Sequence, residues 1–300
     1  MPWTPTRPAP ISRLAAAAVL LSLLFAGPAR PAVAAAVTAV NAAARDAQRG
    51  RVLFEVRNWP TVRGAGFSIH YPAPLAAQVP AVQAAVSLYY PEVLRDYGLT
   101  SRQAPADVVV VTAGQMARFV GGASLDPPLG AYYEGVVWLL APEAFLPAGP
   151  DLPTQYAESG PVAHELTHLA DAVASGGRTP AWLDEGLAQY EDWRLTGYVW
   201  VEPDNQFVGR LYSWSQLTGG WSGLPNVALA YRQALAATAD VCRTGPGTCV
   251  RILHALRAGE AVRQALTQAV GPADLARLES GSAWSTGPGP LPDTAAGPVP

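Results

Sequence analysis

Five consecutive residues, His164-Glu165-Leu166-Thr167-His168, carry the strongest chemical signal in this 300-residue chain. Residues four apart lie one above the other on a helix, so the two imidazoles can aim at one point. Two neutral imidazoles, each reaching about 2.0–2.1 Å, begin a tetrahedral zinc site. Glu165, one position round the helix, then stands beside water carried by the metal, where a carboxylate can act as a base. The chain has four histidines, His70, His164, His168 and His254, so a chance pair at this spacing around a glutamate is improbable.

A third ligand comes from the segment Thr179-Pro-Ala-Trp182-Leu-Asp184-Glu185-Gly186-Leu-Ala-Gln189-Tyr190-Glu191-Asp192. Thr179 reads as an N-cap with Pro180 at the first helical position, and Gly176 and Gly177 end the preceding helix. A short loop between two helices lets the second pack back on the first, and Glu185 in its early turns can face the histidines. The fourth position is left to water, as in a catalytic rather than a structural zinc site. Asp171 shares the histidine face and competes with Glu185 as third ligand. Asp171, Asp184 and Gln189 could each hold the second ring nitrogen of a ligating histidine. Trp182 and Trp193 are expected to pack the two helices together.

These two motifs resemble those of the gluzincin metallopeptidases, and within them the peptidase MA-like domains, distant relatives of the aminopeptidase N family. The resemblance runs loosely over residues 67–278, and its specific parts are the two motifs themselves. It implies that Glu185, in Trp182-Leu-Asp-Glu-Gly-Leu-Ala, completes the metal site. It also implies that Tyr231, in Ala230-Tyr-Arg-Gln-Ala234, steadies the oxyanion, with Tyr212 as the runner-up. Two departures stand out. Sixteen residues separate His168 from Glu185, fewer than in the aminopeptidase N pattern, and there is no G-x-M-E-N sequence to anchor a free amino terminus. Endopeptidase action or an unassigned specificity follows.

The net charge of −3 and the isoelectric point near 5.8 point away from nucleic acid and anionic membranes as partners. Lysine is absent, and 28 Gly and 29 Pro suit one medium domain with poorly ordered ends. Residues 1–36 read as a secretory signal: Arg7 and Arg13, an apolar stretch from Leu14 to Ala26, then small residues near Ala34 and Ala36. No second run is long enough to span a membrane, so stable insertion requires the signal to remain uncleaved. Cys242 and Cys249 enclose a six-residue loop, which in an exported chain favours a disulfide.

Residues 37–50 form an Ala-rich lead-in, helical or loose. Residues 51–281 form the catalytic domain, with a sheet and the metal helix over 51–175 and a helical part over 176–281; the tail 282–300 is expected to be disordered. Alternating patterns predict strands at 51–58 and 66–71, and apolar runs predict strands at 107–112 and 131–140. Helical spacing is seen over 80–97, with Pro91 able to kink or cut it, and over 114–120. A Gly/Trp-rich connection over 205–225 precedes helices at 227–241, 249–257, 261–270 and 272–278. Strands first and helices later give an α+β fold, a small mixed sheet and metal helix facing a helical part across a cleft. The resemblance gives that fold a zincin-like form and makes the strand before the metal helix an edge that pairs with substrate backbone.

The functional expectation is an exported, secreted or cell-surface zinc metallopeptidase. It would hold one zinc ion per chain on His164, His168 and Glu185, with Glu165 as general base and a protein or peptide as substrate. Its alternatives are a non-catalytic zinc-binding scaffold and a hydrolase of a non-peptide amide such as a cell-wall bond. His70 and His254 fit structural roles better than catalytic ones.

Overall fold

The computed structural model describes residues 30–121, 127–201, 204–207, 211–243 and 246–281. Most of the expected signal segment and the whole of the tail 282–300 lie outside them. The chain is α+β, with eleven α-helices and a five-stranded mixed sheet among the described residues.

The strands are β1 (Thr61–Arg63), β2 (Phe67–His70), β3 (Ala106–Val111), β4 (Gly130–Tyr133) and β5 (Val136–Leu140), in the order β1-β2-β3-β5-β4. β2, β3 and β5 are mutually parallel, and β1 and β4 run antiparallel at the two edges. The central strand β3 is buried throughout, as a continuous Val run requires when both faces of a sheet are covered. Its alternate residues divide between two cores. Val108 and Val110 join the larger one, and Val109 and Val111 the smaller. The smaller core is closed by Val52 of α1 (Arg30–Glu55), Val56 in the turn that follows it, and Met116 of α3 (Ala113–Phe119). The larger is closed by α2 (Val79–Asp96), α5 (Val162–Ala174) and the helices after it.

Three expectations are corrected here. Residues 51–58 are not a strand: 51–55 end the 26-residue helix α1, which also absorbs the lead-in, 56–58 form a turn, and the first strand comes at Thr61. Val52 and Val56 are four apart and buried, whereas Phe54 between them is 66% exposed, which is a helical and not a strand pattern. The run 131–140 is two strands, not one. Glu134 and Gly135 turn between them with φ of 54° and 76°, the paired positive values of a two-residue hairpin loop. Nor does β5 lead straight into the metal helix, because α4 (Leu152–Ser159) intervenes. Pro91 leaves α2 as one helix.

The helical part is α6 (Ala181–Thr196), α7 (Trp214–Gly219), α8 (Val227–Val241), α9 (Pro246–Arg257), α10 (Val262–Val270) and α11 (Pro272–Glu279). α6 packs on both α5 and α8. A Cβ on Gly186 would lie 2.1 Å from the Thr238 hydroxyl oxygen and 2.7 Å from the Ala234 carbonyl oxygen. Glycine there lets α8 approach α6 backbone to backbone. Cys242 and Cys249 form a disulfide between α8 and α9.

Candidate metal centre

α5 and α6 place the candidate ligand side chains. Gly176 and Gly177, with φ of 70° and 73°, turn the chain after α5 so that α6 returns beside it. Helix α6 begins one residue later than the sequence suggests. Pro180 is the extended cap residue (φ −68°, ψ 148°) and makes no side-chain cap. The Thr179 hydroxyl donates instead to Asp171 at 2.7 Å, tying the start of α6 to the end of α5. Asp171 is thereby engaged in bracing the loop, and it is not one of the three clustered ligand residues.

Those three are His164, His168 and Glu185. The Nε2 atoms of the histidines lie 3.5 and 3.6 Å from Glu185 Oε2, and the two rings stand 4.8 Å apart at 74°. A tetrahedral zinc ion with bonds of about 2.0–2.1 Å separates its ligand atoms by roughly 3.3–3.4 Å. The observed separations fit a single small cation at the shared focus of the three groups. They are long for hydrogen bonds.

The electrostatics suit a cation as well. Burial disfavours ionisation of Glu185, but the facing His168 and His164 hold its carboxyl well below the usual range. Burial also lowers His164, keeping it neutral as a ligand must be. His168 is likewise opposed by burial, yet Asp184 and Glu185 raise its pKa well above the ordinary value in the metal-free site. Its Nδ1 is 2.7 Å from Asp184 Oδ1, which sets the ring so that Nε2 faces Glu185. Of the three residues considered for that orienting role, Asp184 takes it. Gln189 donates its amide to the backbone oxygens of Tyr231 (2.8 Å) and Glu185 (3.3 Å), linking α6 to α8.

Glu165 lies on the other side of the ligand pair, 1% exposed and packed against the edge strand. A Cβ on Gly130 would sit 2.6 Å from the Glu165 side chain, so only glycine lets β4 pass this close. The Tyr132 backbone N–H donates to the Glu165 carboxylate, while burial pushes its pKa up to about 8. The amide of Leu140 bonds Leu129 O across the hairpin, so in the alternating antiparallel ladder Gly130 and Tyr132 turn their backbone groups outward. Neither residue stood out in the sequence, since the contact is made by backbone.

Tyr231, in the first turn and a half of α8, is 2% exposed and hydrogen-bonds Glu185. Burial, reinforced by Glu185, raises its pKa well above 10, so it remains a neutral donor. Its ring packs against Trp200 and Trp221. Tyr212 is placed elsewhere: its oxygen accepts the Asn226 N–H at 2.7 Å, bracing the start of α8. His70 lies between Thr61 and Asp107 in the sheet, and His254 is exposed on α9. Trp182 packs edge-on against Trp214 of α7, with ring centres 4.9 Å apart.

Beside His164 and Tyr231 a small, partly open pocket runs between α5, α6, α8 and the start of β4. No known protein family, curated protein or solved structure matches the chain.

Proposed function

We propose that this chain is a zinc-dependent peptidase of zincin-like architecture, similar to the gluzincins. The observation that carries the reading is the convergence of His164 Nε2, His168 Nε2 and Glu185 Oε2 within 4.8 Å of one another, with Glu165 beside them but outside the ligand set. A structural zinc site is closed by four protein ligands, and a base next to it has no use.

Bound at this focus, zinc would supply Lewis acidity, polarising a carbonyl oxygen and making water acidic near neutral pH. The chain's own residues do the rest. β4 is an edge strand whose outward backbone groups, those of Gly130 and the carbonyl of Tyr132, can align an extended substrate. Glu165 accepts the proton of the attacking water and passes it to the leaving amine. The Tyr132 N–H fixes the orientation of that carboxylate. Tyr231, held neutral beside Glu185, donates to the oxygen that gains charge as the scissile carbonyl becomes tetrahedral. Asp184 keeps His168 in the ligating orientation. Export through the segment 1–36 belongs to the same proposal, and the Cys242–Cys249 disulfide suits an oxidising compartment.

The test is digestion of a broad peptide library, with peptidoglycan in parallel, by wild type and Glu165→Gln. Wild type should cut peptides and lose that ability to a zinc chelator. Glu165→Gln should retain zinc and lose turnover by roughly 10²–10⁴-fold. Wild-type rates in Glu165→Gln would reject the base. Zinc retention with no cleavage of any peptide would reject the peptidase, and peptidoglycan cleavage would move the substrate class.

A further inference from the structure

The cavity beside the metal centre is mostly apolar, with Leu129, Pro161, Val199, Trp200 and Leu235 in its walls. Two polar side chains from one face of α6, Gln189 and Asp192, also line it, and each is only 7% exposed. Gln189 Oε1 and Asp192 Oδ1 are fully buried and have no hydrogen-bond partner among the described residues. The Gln189 amide nitrogen is already committed to the Tyr231 and Glu185 backbone, which leaves its acceptor end for the cavity. The neighbouring acid behaves differently. Glu191 is bound by Arg194, which also reaches Asp96, whereas among the described residues no cation pairs with Asp192. Buried acceptors without donors are rare in folded proteins, and two in one cavity call for an occupant that brings the donors.

We propose that this cavity is the specificity pocket of the peptidase, and that Asp192 with Gln189 recognises a basic side chain, Arg or Lys, flanking the bond that is cut. The inference rests on the peptidase reading given above. Guanidinium and ammonium groups are donors only, the complement of two unpaired acceptors; a hydroxyl or carboxylate occupant would bring surplus acceptors. The apolar walls suit the methylene stem of a long basic side chain, which packs on apolar surface while its head seeks polar partners. The rings of Trp200, Tyr198 and Tyr231 line the same space and favour a cation. The pocket adjoins His164 and Tyr231, so a side chain seated in it keeps its own backbone beside the metal centre.

Two measurements on the full zinc-loaded chain separate this claim from the peptidase reading. The first needs no catalysis: calorimetric binding of n-butylguanidine against neutral n-butylurea, on wild type and Asp192→Asn. Wild type should prefer butylguanidine by roughly ten-fold or more, and Asp192→Asn should erase the preference. Equal binding of the two probes by wild type, no binding of either, or an unchanged preference in a zinc-retaining Asp192→Asn would overturn the proposal. If Asp192→Asn fails to fold, the wild-type preference decides alone. The second compares kcat/KM for peptides matched except for Arg or norleucine at each position around the cut. The Arg-to-norleucine ratio should be high and should collapse by roughly ten-fold or more in Asp192→Asn. Peptides cut without basic preference would sink the pocket and spare the peptidase. Butylguanidine binding that depends on Asp192, with no peptide cut, would do the reverse.

Discussion

Replacing Gly186 by Ala tests the step that joins the second motif to Tyr231, the proposed oxyanion donor. In an ordinary helix interior the change stabilises, by about 1 kcal/mol, because Ala is the better helix former. Here the new methyl would lie 2.1 Å from Thr238 Oγ1 and 2.7 Å from Ala234 O. The threonine hydroxyl can rotate away, but the carbonyl belongs to the backbone of α8. Relief to ordinary contact at 3.4 Å means moving α8 by about 0.7 Å from α6. Overpacking of this kind costs about 1–3 kcal/mol, and a backbone clash belongs at the upper end. The net result should be a loss of about 2 kcal/mol, or roughly 4–8 °C in Tm for a domain of this size. Tyr231 rides on α8, so the same shift should lengthen its bond to Glu185 and lower kcat while the zinc content stays unchanged. Urea denaturation, peptide turnover and metal analysis of Gly186→Ala read these effects. A variant as stable as wild type, or more so, would refute the close helix crossing and the account of why the motif carries glycine.

Other consequences are equally direct. Asp184→Asn should weaken zinc binding by roughly 10–100-fold without removing a ligand, because His168 loses the partner at its Nδ1; competition with a chelating dye measures it. Asp192 gives a pH effect in the metal-free protein. Burial raises its pKa from 3.8 to about 8, so between those values the folded chain keeps a proton that the unfolded chain has released. Stability should therefore fall as pH rises from about 4 to 8, by an amount on the order of 3–4 kcal/mol at pH 7. Burial raises Glu165 to about 8 and Glu191 to about 7, and both slope the profile the same way, so Asp192→Asn should make it shallower without abolishing it. Denaturation midpoints across that range would show it, and an unchanged slope would remove Asp192 as a source.

The elements most legible in the sequence were those whose residue types admit one reading. The His164–His168 spacing, the Val-rich strand β3, the glycine pair after α5 and the Cys242–Cys249 loop all stand where the pattern put them. Misreadings arose where a pattern had two solutions. Val52 and Val56 satisfy a strand period and a helix period alike, and only the exposure of Phe54 separates them. Thr179 has the chemistry of an N-cap, but a buried carboxylate, Asp171, sits within reach and takes its hydroxyl. Gly130, Tyr132 and the pocket role of Asp192 were illegible for another reason. Their significance lies in long-range approach, a strand edge against Glu165 and an acid facing a cavity, and no local periodicity encodes that.

The central claim is that three side chains converge on one divalent cation, and direct metal analysis after chelation and zinc titration tests it. Wild type should take up one zinc ion per chain, and Glu185→Ala, still folded by circular dichroism, should lose it. A wild-type chain that binds no zinc, or a Glu185→Ala variant that binds it with undiminished stoichiometry and affinity, would contradict the account.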